Sequence, residues 1–453
     1  MKRTRCYFSL IKHCSGQPLC RSQPRLQELH LASCDQKLPL LHFLTARHVQ
    51  GTCSRLAYST SVEETLDPEA ESELPPPPTR TVSVDPETSV NLNIRTQSND
   101  PAKHTSDDEG LFYTVPKEEY EKYVQDGQWH TFHRQVKTFQ ECAIMVRRPA
   151  LDLFRMVDSL NLSLPPARFL FYGPQGNGKT VTLAHVVHKY AKEGWLTIHF
   201  PNMLNLIRYH RVVQRSYVAS FYNKSRYDLT EDSGRWLAFF LEQNRELLAK
   251  FQTTKDYQWS ERESTSAGTP LTDVVFLGID RIKFAADCIG VLLKEIKAQA
   301  AEKDIKVLVA VEGVNACWKD IHSILDEAKQ PVNAKHVSLL HHIRTLFEPN
   351  WVGGVCVGTL CPSVDALDEP LEDTKVPYTP QYLLKKEGFE FMDPFIPIQV
   401  PEFSNREAFN MVDYLIERKW IQRPSAKTHE GKKELIMLSN RKPKDFMEVS
   451  ALW

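Results

Sequence analysis

One stretch of the chain fits the pattern G-x-x-x-x-G-K-[ST], in which a backbone loop binds phosphate. Its residues are Gly173, Pro174, Gln175, Gly176, Asn177, Gly178, Lys179 and Thr180. Glycines let the backbone curl so that successive N–H groups point at phosphate oxygens. The lysine would reach the terminal phosphates, and the threonine hydroxyl would ligate Mg²⁺. The sequence therefore predicts that the chain binds a nucleotide.

This motif needs a strand before it and a helix after it, and the sequence supplies both. The apolar run Ala167 to Tyr172 reads as a buried strand, and Val181 to Ala191 reads as a helix. A helix that begins at the loop adds positive potential where phosphates would bind. The loop is therefore predicted to lie between a strand and a helix.

Apolar strands alternate with helices over residues 111–400, which predicts an α/β fold with a doubly wound parallel sheet. The predicted strands are Phe169–Tyr172, Leu196–Phe200, Val307–Val311, Val355–Thr359 and Phe395–Val400. Predicted helices include Thr272–Ala298 and Val337–Phe347. Residues 401–453 lack a convincing strand, and Arg406–Trp420 and Lys432–Ser439 predict a small C-terminal helical domain.

A nucleotide site of this kind also needs an acid at the end of a second buried strand, to hold the Mg²⁺ hydration shell. Glu312 ends the strand that starts at Val307 and is predicted to take this role beside Thr180. Relatives that hydrolyse ATP often place a second acid next, but here Gly313 follows. Asn315 could hold a water without taking its proton, so slow hydrolysis or none is predicted.

The base of the nucleotide is poorly specified by the sequence. The guanine-reading tetrapeptide N-K-x-D is absent, so the residues alone are compatible with either GTP or ATP. Gln135, Lys137 and Phe139 could line the base or could equally lie on the surface. Near the C-terminus, Arg441 or Lys442 could enter the site from a helical lid, although a solvated turn is favoured.

The first 110 residues differ in charge from the rest of the chain. Residues 1–60 carry nine basic and two acidic residues, which is typical of an organellar transit peptide. A basic arm that binds nucleic acid is the alternative. Residues 61–110 carry three basic and twelve acidic residues and the run Pro75–Pro78, which predicts a linker or extended arm. The leader is expected to be disordered.

Composition narrows the classes of protein further. With 453 residues and 42% hydrophobic content, the chain can form a large core, and we expect two or three domains. No apolar run approaches the roughly 18 residues of a membrane span. The ten cysteines include no C-x-x-C pair, so they predict buried thiols rather than zinc sites or disulfides.

One acid-free stretch, residues 202–227, carries five basic residues among several aromatic ones. Arg208, Arg211 and Arg215 recur at helical spacing and are predicted to share one helix face. Basic and aromatic side chains together could contact RNA. A solvated helix face with its aromatic residues in the core is the slightly favoured alternative.

Several segments in order along the chain resemble the death-associated protein three family of the mitochondrial ribosome. They are Asn99–His104, Gln135–Phe139, Met145–Arg147, Pro149–Ala150, the loop itself, Arg262–Thr265, Asp393–Ile398 and Glu430–Leu435. The resemblance covers residues from about 99 to the end and is far more specific than the loop alone. It implies a P-loop NTPase core of the AAA-like class followed by a C-terminal helical domain.

The resemblance also implies a function. It implies a structural constituent of the small ribosomal subunit in the mitochondrial matrix, supporting mitochondrial translation and holding GTP or GDP with Mg²⁺. The implied partners are mitochondrial ribosomal proteins and small-subunit rRNA, with contacts toward the large subunit. Members of the family are also linked to apoptosis signalling. An active AAA-type ATPase that remodels mitochondrial protein or RNA is the main alternative, and a cell-death adaptor is a third.

Overall fold

The computed structural model describes residues 94–127, 130–216, 226–365 and 378–451, and the predicted leader lies outside these ranges. The strands in chain order are β1 (Phe112–Val115), β2 (Cys142–Met145), β3 (Ala167–Tyr172), β4 (Leu196–Phe200), β5 (Val213–Arg215), β6 (Tyr227–Leu229), β7 (Tyr257–Gln258), β8 (Ser264–Thr265), β9 (Val307–Glu312), β10 (Asp320–Leu325), β11 (Pro331–Asn333), β12 (Gly354–Thr359) and β13 (Ile396–Gln399).

The α-helices, which separate and flank these strands, are α1 (Lys117–Glu119), α2 (His130–Phe139), α3 (Arg148–Asp158), α4 (Lys179–Lys192), α5 (Met203–Arg208), α6 (Thr230–Leu248), α7 (Leu271–Asp280), α8 (Ala285–Gln299), α9 (Ser338–Leu346), α10 (Pro362–Asp365), α11 (Pro380–Met392), α12 (Asn405–Glu417), α13 (His429–Leu438) and α14 (Pro443–Ser450). No helix in the described part of the chain is both long and apolar enough to cross a membrane.

The centre of the fold is a five-stranded sheet in the order β13-β3-β12-β9-β4, with every neighbouring pair parallel. These are the five strands that the sequence predicts. The α/β class with a parallel sheet is thus confirmed. Parallel sheets are covered on both faces, so their strands are apolar throughout, and this is why the pattern was readable.

Successive residues of one strand pack into different cores on the two faces of the sheet. On β9, Val307, Val309 and Val311 join one buried cluster, whereas Leu308 and Ala310 join another. The first cluster contains α6 to α9, and the second contains α3 and α4. Because side chains alternate along a strand, the helices on the two faces hold the sheet between them.

The C-terminal helices have their own buried cluster. It joins α12, α13 and α14 to Ile94, Phe112 and Phe139 from the N-terminal part of the described chain. The helix α12 begins with a capping box, in which Ser404 and Glu407 bond to each other's backbone N–H groups. The C-terminal region therefore shares its core with residues that lie some 300 positions earlier in the sequence.

Residues 94–110, the end of the segment predicted to be a linker or extended arm, are folded. Ile94 is buried, and the His104 ring is hydrogen-bonded to His185 of α4. Asp108 is one of the acidic residues that suggested a linker. Its carboxylate accepts a hydrogen bond from the Thr105 N–H and so caps the 3₁₀ turn Ser106–Asp108. The remainder of the predicted linker lies outside the described residues.

Two other predicted elements differ from the structure. The single helix expected over Thr272–Ala298 is broken into α7 and α8, with a 3₁₀ turn at Ile282–Phe284. The helix expected to carry Arg208, Arg211 and Arg215 ends at Arg208, and Arg215 lies in β5. These arginines therefore do not share a helix face, and that RNA-binding prediction loses its geometric basis.

Candidate nucleotide-binding site

The glycine-rich loop follows the carboxyl end of β3 and leads directly into α4. Its three glycines all have positive φ, with Gly173 at 147° and Gly178 at 88°. A Cβ atom on Gly173 would lie 2.5 Å from the Val400 carbonyl oxygen, so no larger residue fits there. The strand, loop and helix that the sequence predicts are thus found in that order.

Lys179 is the first residue of α4 and is almost completely buried. Its Nζ donates to the carbonyl oxygens of Gly173 at 2.7 Å and Pro174 at 2.8 Å, within the same loop. Burial lowers the pKa of Lys179 to about 8, although Cys361 and Glu312 partly oppose that shift. A buried cation with a lowered pKa is well placed to bind an anion, because the anion would restore its charge.

Thr180 and Glu312 are brought together as the sequence predicts. The Thr180 Oγ1 donates to Glu312 Oε1 at 2.6 Å, although β12 separates β3 from β9 in the sheet. A hydroxyl and a carboxylate beside a phosphate loop are oxygen ligands of the kind that Mg²⁺ uses. These two side chains therefore fit the predicted metal position, with the remaining ligands left to phosphate and water.

Gly313 and Asn315, which follow Glu312, are hydrogen-bonded to neighbouring loops. Gly313 has a φ of 76°, and its N–H donates to the Thr359 carbonyl and hydroxyl. The Asn315 amide donates to the Cys361 carbonyl at 3.0 Å, and its oxygen accepts from the Cys361 N–H at 2.9 Å. This buried side chain thus ties two loops together.

Arg147, just before α3, is a site residue that the sequence reading did not single out. It donates to the Asn177 carbonyl of the loop at 2.6 Å and to the Pro401 carbonyl at 3.0 Å. Its Nε is 3.0 Å from the Glu407 carboxylate, and both side chains are buried. Since 260 residues separate Arg147 from Glu407, no local pattern could have revealed the pair.

A cavity of about 370 Å³ opens beside the loop. Lys179, Thr180, Glu312 and Thr359 line its polar end. The other walls are largely apolar and include Phe112, Phe132, Ala143, Met145, Phe403, Met411 and Met447. An apolar pocket with a few polar groups at one end is the usual form of a cofactor site.

Only one of the three residues predicted to line the base lies in this cavity. Gln135 of α2 is part of the wall. Lys137 is exposed at the surface, and Phe139 is buried in the C-terminal cluster. Gln135 and Phe139 lie four residues apart on one face of α2, and Lys137 lies on another. Lys137 thus follows the surface alternative that the sequence allowed equally, and Phe139 packs into the C-terminal core.

The basic residue that reaches the loop from the C-terminal helices is Lys444. Its backbone N–H donates to the Gly176 carbonyl at 3.2 Å, and its side chain lines the cavity. Arg441 is exposed in the turn before α14, as the favoured solvated alternative predicts, and Lys442 occupies the N-cap position of that helix without a side-chain hydrogen bond to it. The C-terminal helices thus contact the loop through Lys444, whereas Arg441 follows the favoured solvated alternative.

A larger cavity, of about 760 Å³, lies away from the loop. Its lining includes Trp195, Thr197 and Asn244, and no residue of the glycine-rich loop. The Asn244 amide bonds to both backbone groups of Thr197, so it closes the outer edge of β4. The chemistry of the walls favours the smaller cavity as the nucleotide site.

The cysteines in the described part of the chain are free thiols. Cys142, Cys288, Cys317 and Cys356 are free and buried, and Cys361 is free and half-buried. No group of three or more His, Cys, Asp or Glu side chains in the described ranges is arranged to hold a metal ion. The cysteines of the leader lie outside those ranges.

Comparisons with known proteins agree on one family. The family model for mitochondrial ribosomal death-associated protein 3 matches residues 144–449. Small ribosomal subunit protein mS29 of Bos taurus is 38% identical over 351 residues, which are 77% of this chain and 85% of that protein. The protein of the same name from Mus musculus is 35% identical over 405 residues, covering 89% and 97% of the two chains.

Proposed function

This chain belongs to the mitochondrial ribosomal death-associated protein 3 family, and we propose that it is a structural protein of the small ribosomal subunit that holds a guanine nucleotide. The family membership and the mitochondrial location predicted from the sequence are both confirmed. The relatives are named as small-subunit proteins and are matched over most of their length. Ribosomal proteins and rRNA are accordingly its proposed partners.

The observation that carries the nucleotide proposal is the geometry of the loop. Gly176 and Gly178, both with positive φ, the buried Lys179 and the Thr180–Glu312 pair all border one cavity at the carboxyl end of a parallel sheet. Ligands of open α/β sheets bind at this edge. The arrangement supports a P-loop NTPase core of the AAA-like class.

Within that core, the loop N–H groups and Lys179 would hold the phosphates of GTP or GDP. Lys179 would exchange its two loop carbonyls for phosphate oxygens, and Thr180 with Glu312 would hold Mg²⁺ through oxygen. The apolar walls would contact the base, and Gln135 supplies an amide beside them. The choice of guanine over adenine rests on the resemblance to the family.

We propose slow hydrolysis or none at this site. Gly313 and Asn315 occupy the positions where a base or a water-holding group would act, and both are bonded into the loop structure. Loss of a positioned base costs about 10²- to 10⁴-fold in rate. A multiple-turnover phosphate-release rate of roughly 1 s⁻¹ or more, typical of enzymes, would instead favour the AAA-type ATPase.

Sedimentation of mitochondrial lysate tests the ribosomal part of the proposal. We expect the tagged full-length protein to migrate with the small subunit, and to stay there when monosomes are split by lowering Mg²⁺. A protein found only in the light fractions of the gradient would contradict the proposal. The link to apoptosis signalling stays a prediction.

A further inference from the structure

Six apolar side chains around the cavity beside the glycine-rich loop belong to the core of the C-terminal helices. Phe112, Ala143, Met145, Phe403 and Met411 are members of that buried cluster, and Met447 packs against it. The walls also include Leu360 from the cluster of α6 to α9, and Phe132 and Val181, which pack against the cluster of α3 and α4. The cavity therefore lies where the C-terminal core meets both cores of the sheet.

The C-terminal helices are held to the rest of the protein largely through this cluster. Among the described residues, no member of α12, α13 or α14 belongs to either core of the sheet. The Phe112 ring of β1 stacks on Tyr414 of α12, with centroids 4.5 Å apart. The cavity is lined by Met411 of α12 and Met447 of α14, and also by Phe112 and by Ala143 of β2. A ligand in the cavity would thus contact both the helices and the strands on which they pack.

The polar end of the cavity has contacts to the same helices. The Lys444 N–H donates to the Gly176 carbonyl at 3.2 Å, and the Lys444 side chain lines the cavity. The Arg147 guanidinium lies over the Phe403 ring, 4.9 Å from its centroid, and donates to the Asn177 carbonyl of the loop. A nucleotide with its phosphates at the loop would therefore lie against the C-terminal helices along its whole length.

We infer that the base of the bound nucleotide completes the C-terminal core, so that the nucleotide holds α12 and α14 closed over the loop. A purine ring against Phe403, Met411 and Met447 removes apolar surface from water, which favours the closed arrangement. Because opening of the helices would take this wall away from the base, the nucleotide binds the closed arrangement more tightly and shifts the equilibrium toward it. The inference rests on the proposed function, since it requires a nucleotide at the loop.

Hydrogen exchange of the full-length protein, with and without GDP, measures this coupling. In nucleotide-free protein we expect the backbone amides of α12 and α14 to exchange faster than those of β9 and β12, because these helices can open without the sheet. GDP at about 100 times its dissociation constant should slow the exchange of α12 and α14 about 100-fold, since only the closed protein binds it. Unchanged exchange in GDP would overturn the inference. So would exchange of the helices as slow as that of the sheet before GDP is added.

The variant Met447→Gln keeps the length of the side chain and places a polar group against the base. We expect its GDP affinity to fall about tenfold. The same GDP concentration should then slow the exchange of α12 and α14 only about tenfold. The matched control is Met437→Gln on α13, where the methionine is 79% exposed and does not line the cavity.

The control should respond to GDP as the wild type does, and equal protection in the two variants would contradict the inference. Circular dichroism verifies that both variants are folded. If Met447→Gln does not fold, the pair Met447→Ala and Met437→Ala takes its place.

Calorimetric titration with GDP separates this inference from the proposed function. If nucleotide-free wild-type protein binds neither GDP nor GTP, the proposed nucleotide site fails and the inference falls with it. If GDP binds but the exchange of α12 and α14 does not change, only the inference fails. If GDP slows that exchange in the wild type and in Met437→Gln, and slows it less in Met447→Gln, both are supported.

Discussion

The proposed phosphate end of the site depends on a lysine that the fold keeps almost entirely out of water. The Lys179 ammonium donates hydrogen bonds to two carbonyl oxygens of its own loop, and burial lowers its pKa to about 8. Removing an amine from water disfavours its charged form, whereas a bound phosphate would favour it. At the residue scale, nucleotide binding is therefore expected to be linked to the protonation of Lys179.

This linkage predicts a pH dependence of nucleotide affinity. Only the charged lysine attracts phosphate, so affinity should be level below about pH 7.5 and fall as pH rises through 8, approaching tenfold per pH unit. The dissociation constant for GDP, measured from pH 7 to 9, checks this. In Lys179→Arg the charge persists, so any remaining affinity should not vary with pH. A wild-type affinity that stays constant up to pH 9 would contradict the assignment.

A second residue-scale prediction concerns the buried pair of Arg147 and Glu407. Arg147→Met leaves the carboxylate buried without its partner, so the free energy of unfolding should fall by about 3–5 kcal/mol. The double variant with Glu407→Gln should be destabilised less, since glutamine keeps the cap of α12 without a buried charge. Urea unfolding measures both. A loss below about 1 kcal/mol for the single variant would show that the pair contributes little.

At the scale of elements, α4 connects the glycine-rich loop to the N-terminal part of the described chain. His185 of α4 is fully buried and bonds through Nε2 to His104 Nδ1 at 3.0 Å. The His104 Nε2 lies 3.1 Å from the Ser98 carbonyl, so it carries the proton of the neutral ring and donates it there. Burial lowers the pKa of both histidines, and both are therefore neutral in the folded protein.

This contact predicts a loss of stability in acid. Because the folded pKa values lie below the unfolded value of about 6.5, the unfolded chain binds more protons as pH falls through 6.5. The two histidines therefore contribute their full stabilisation above about pH 6.5. Below that pH the free energy of unfolding falls by up to about 1.4 kcal/mol per pH unit for each histidine. In His185→Leu the free energy of unfolding should vary less steeply between pH 6.5 and 5. The exposed His429→Leu is the control, and equal slopes in all three proteins would refute this account of α4.

At the scale of the whole molecule, the central sheet was predictable because its strands are continuous apolar runs. The glycine-rich loop was predictable because its residues are consecutive. The pairing of Arg147 with Glu407 and the contact of Lys444 with Gly176 were not, since each joins residues more than 250 positions apart. Short-range patterns thus identified the glycine-rich loop, but not the groups that hold it in place.

For a related reason, the sequence did not show that residues 94–110, the end of the predicted linker, are folded. The acidic composition of residues 61–110 hid Ile94, which is buried with the C-terminal helices, and His104, which is buried against α4. Composition averages over a window, whereas packing depends on single side chains. The described protein from residue 94 onward therefore closes its C-terminal core with residues that composition assigned to a linker.

The most direct test of the central claim is the identity of the nucleotide that purified wild-type protein releases on denaturation. We predict about one guanine nucleotide per chain, and none from Lys179→Ala, in which the phosphate-facing charge is missing. Lys192→Ala, at the other end of α4, should keep its nucleotide. Release of an adenine nucleotide, of no nucleotide from the wild type, or of a full equivalent from Lys179→Ala would contradict the account.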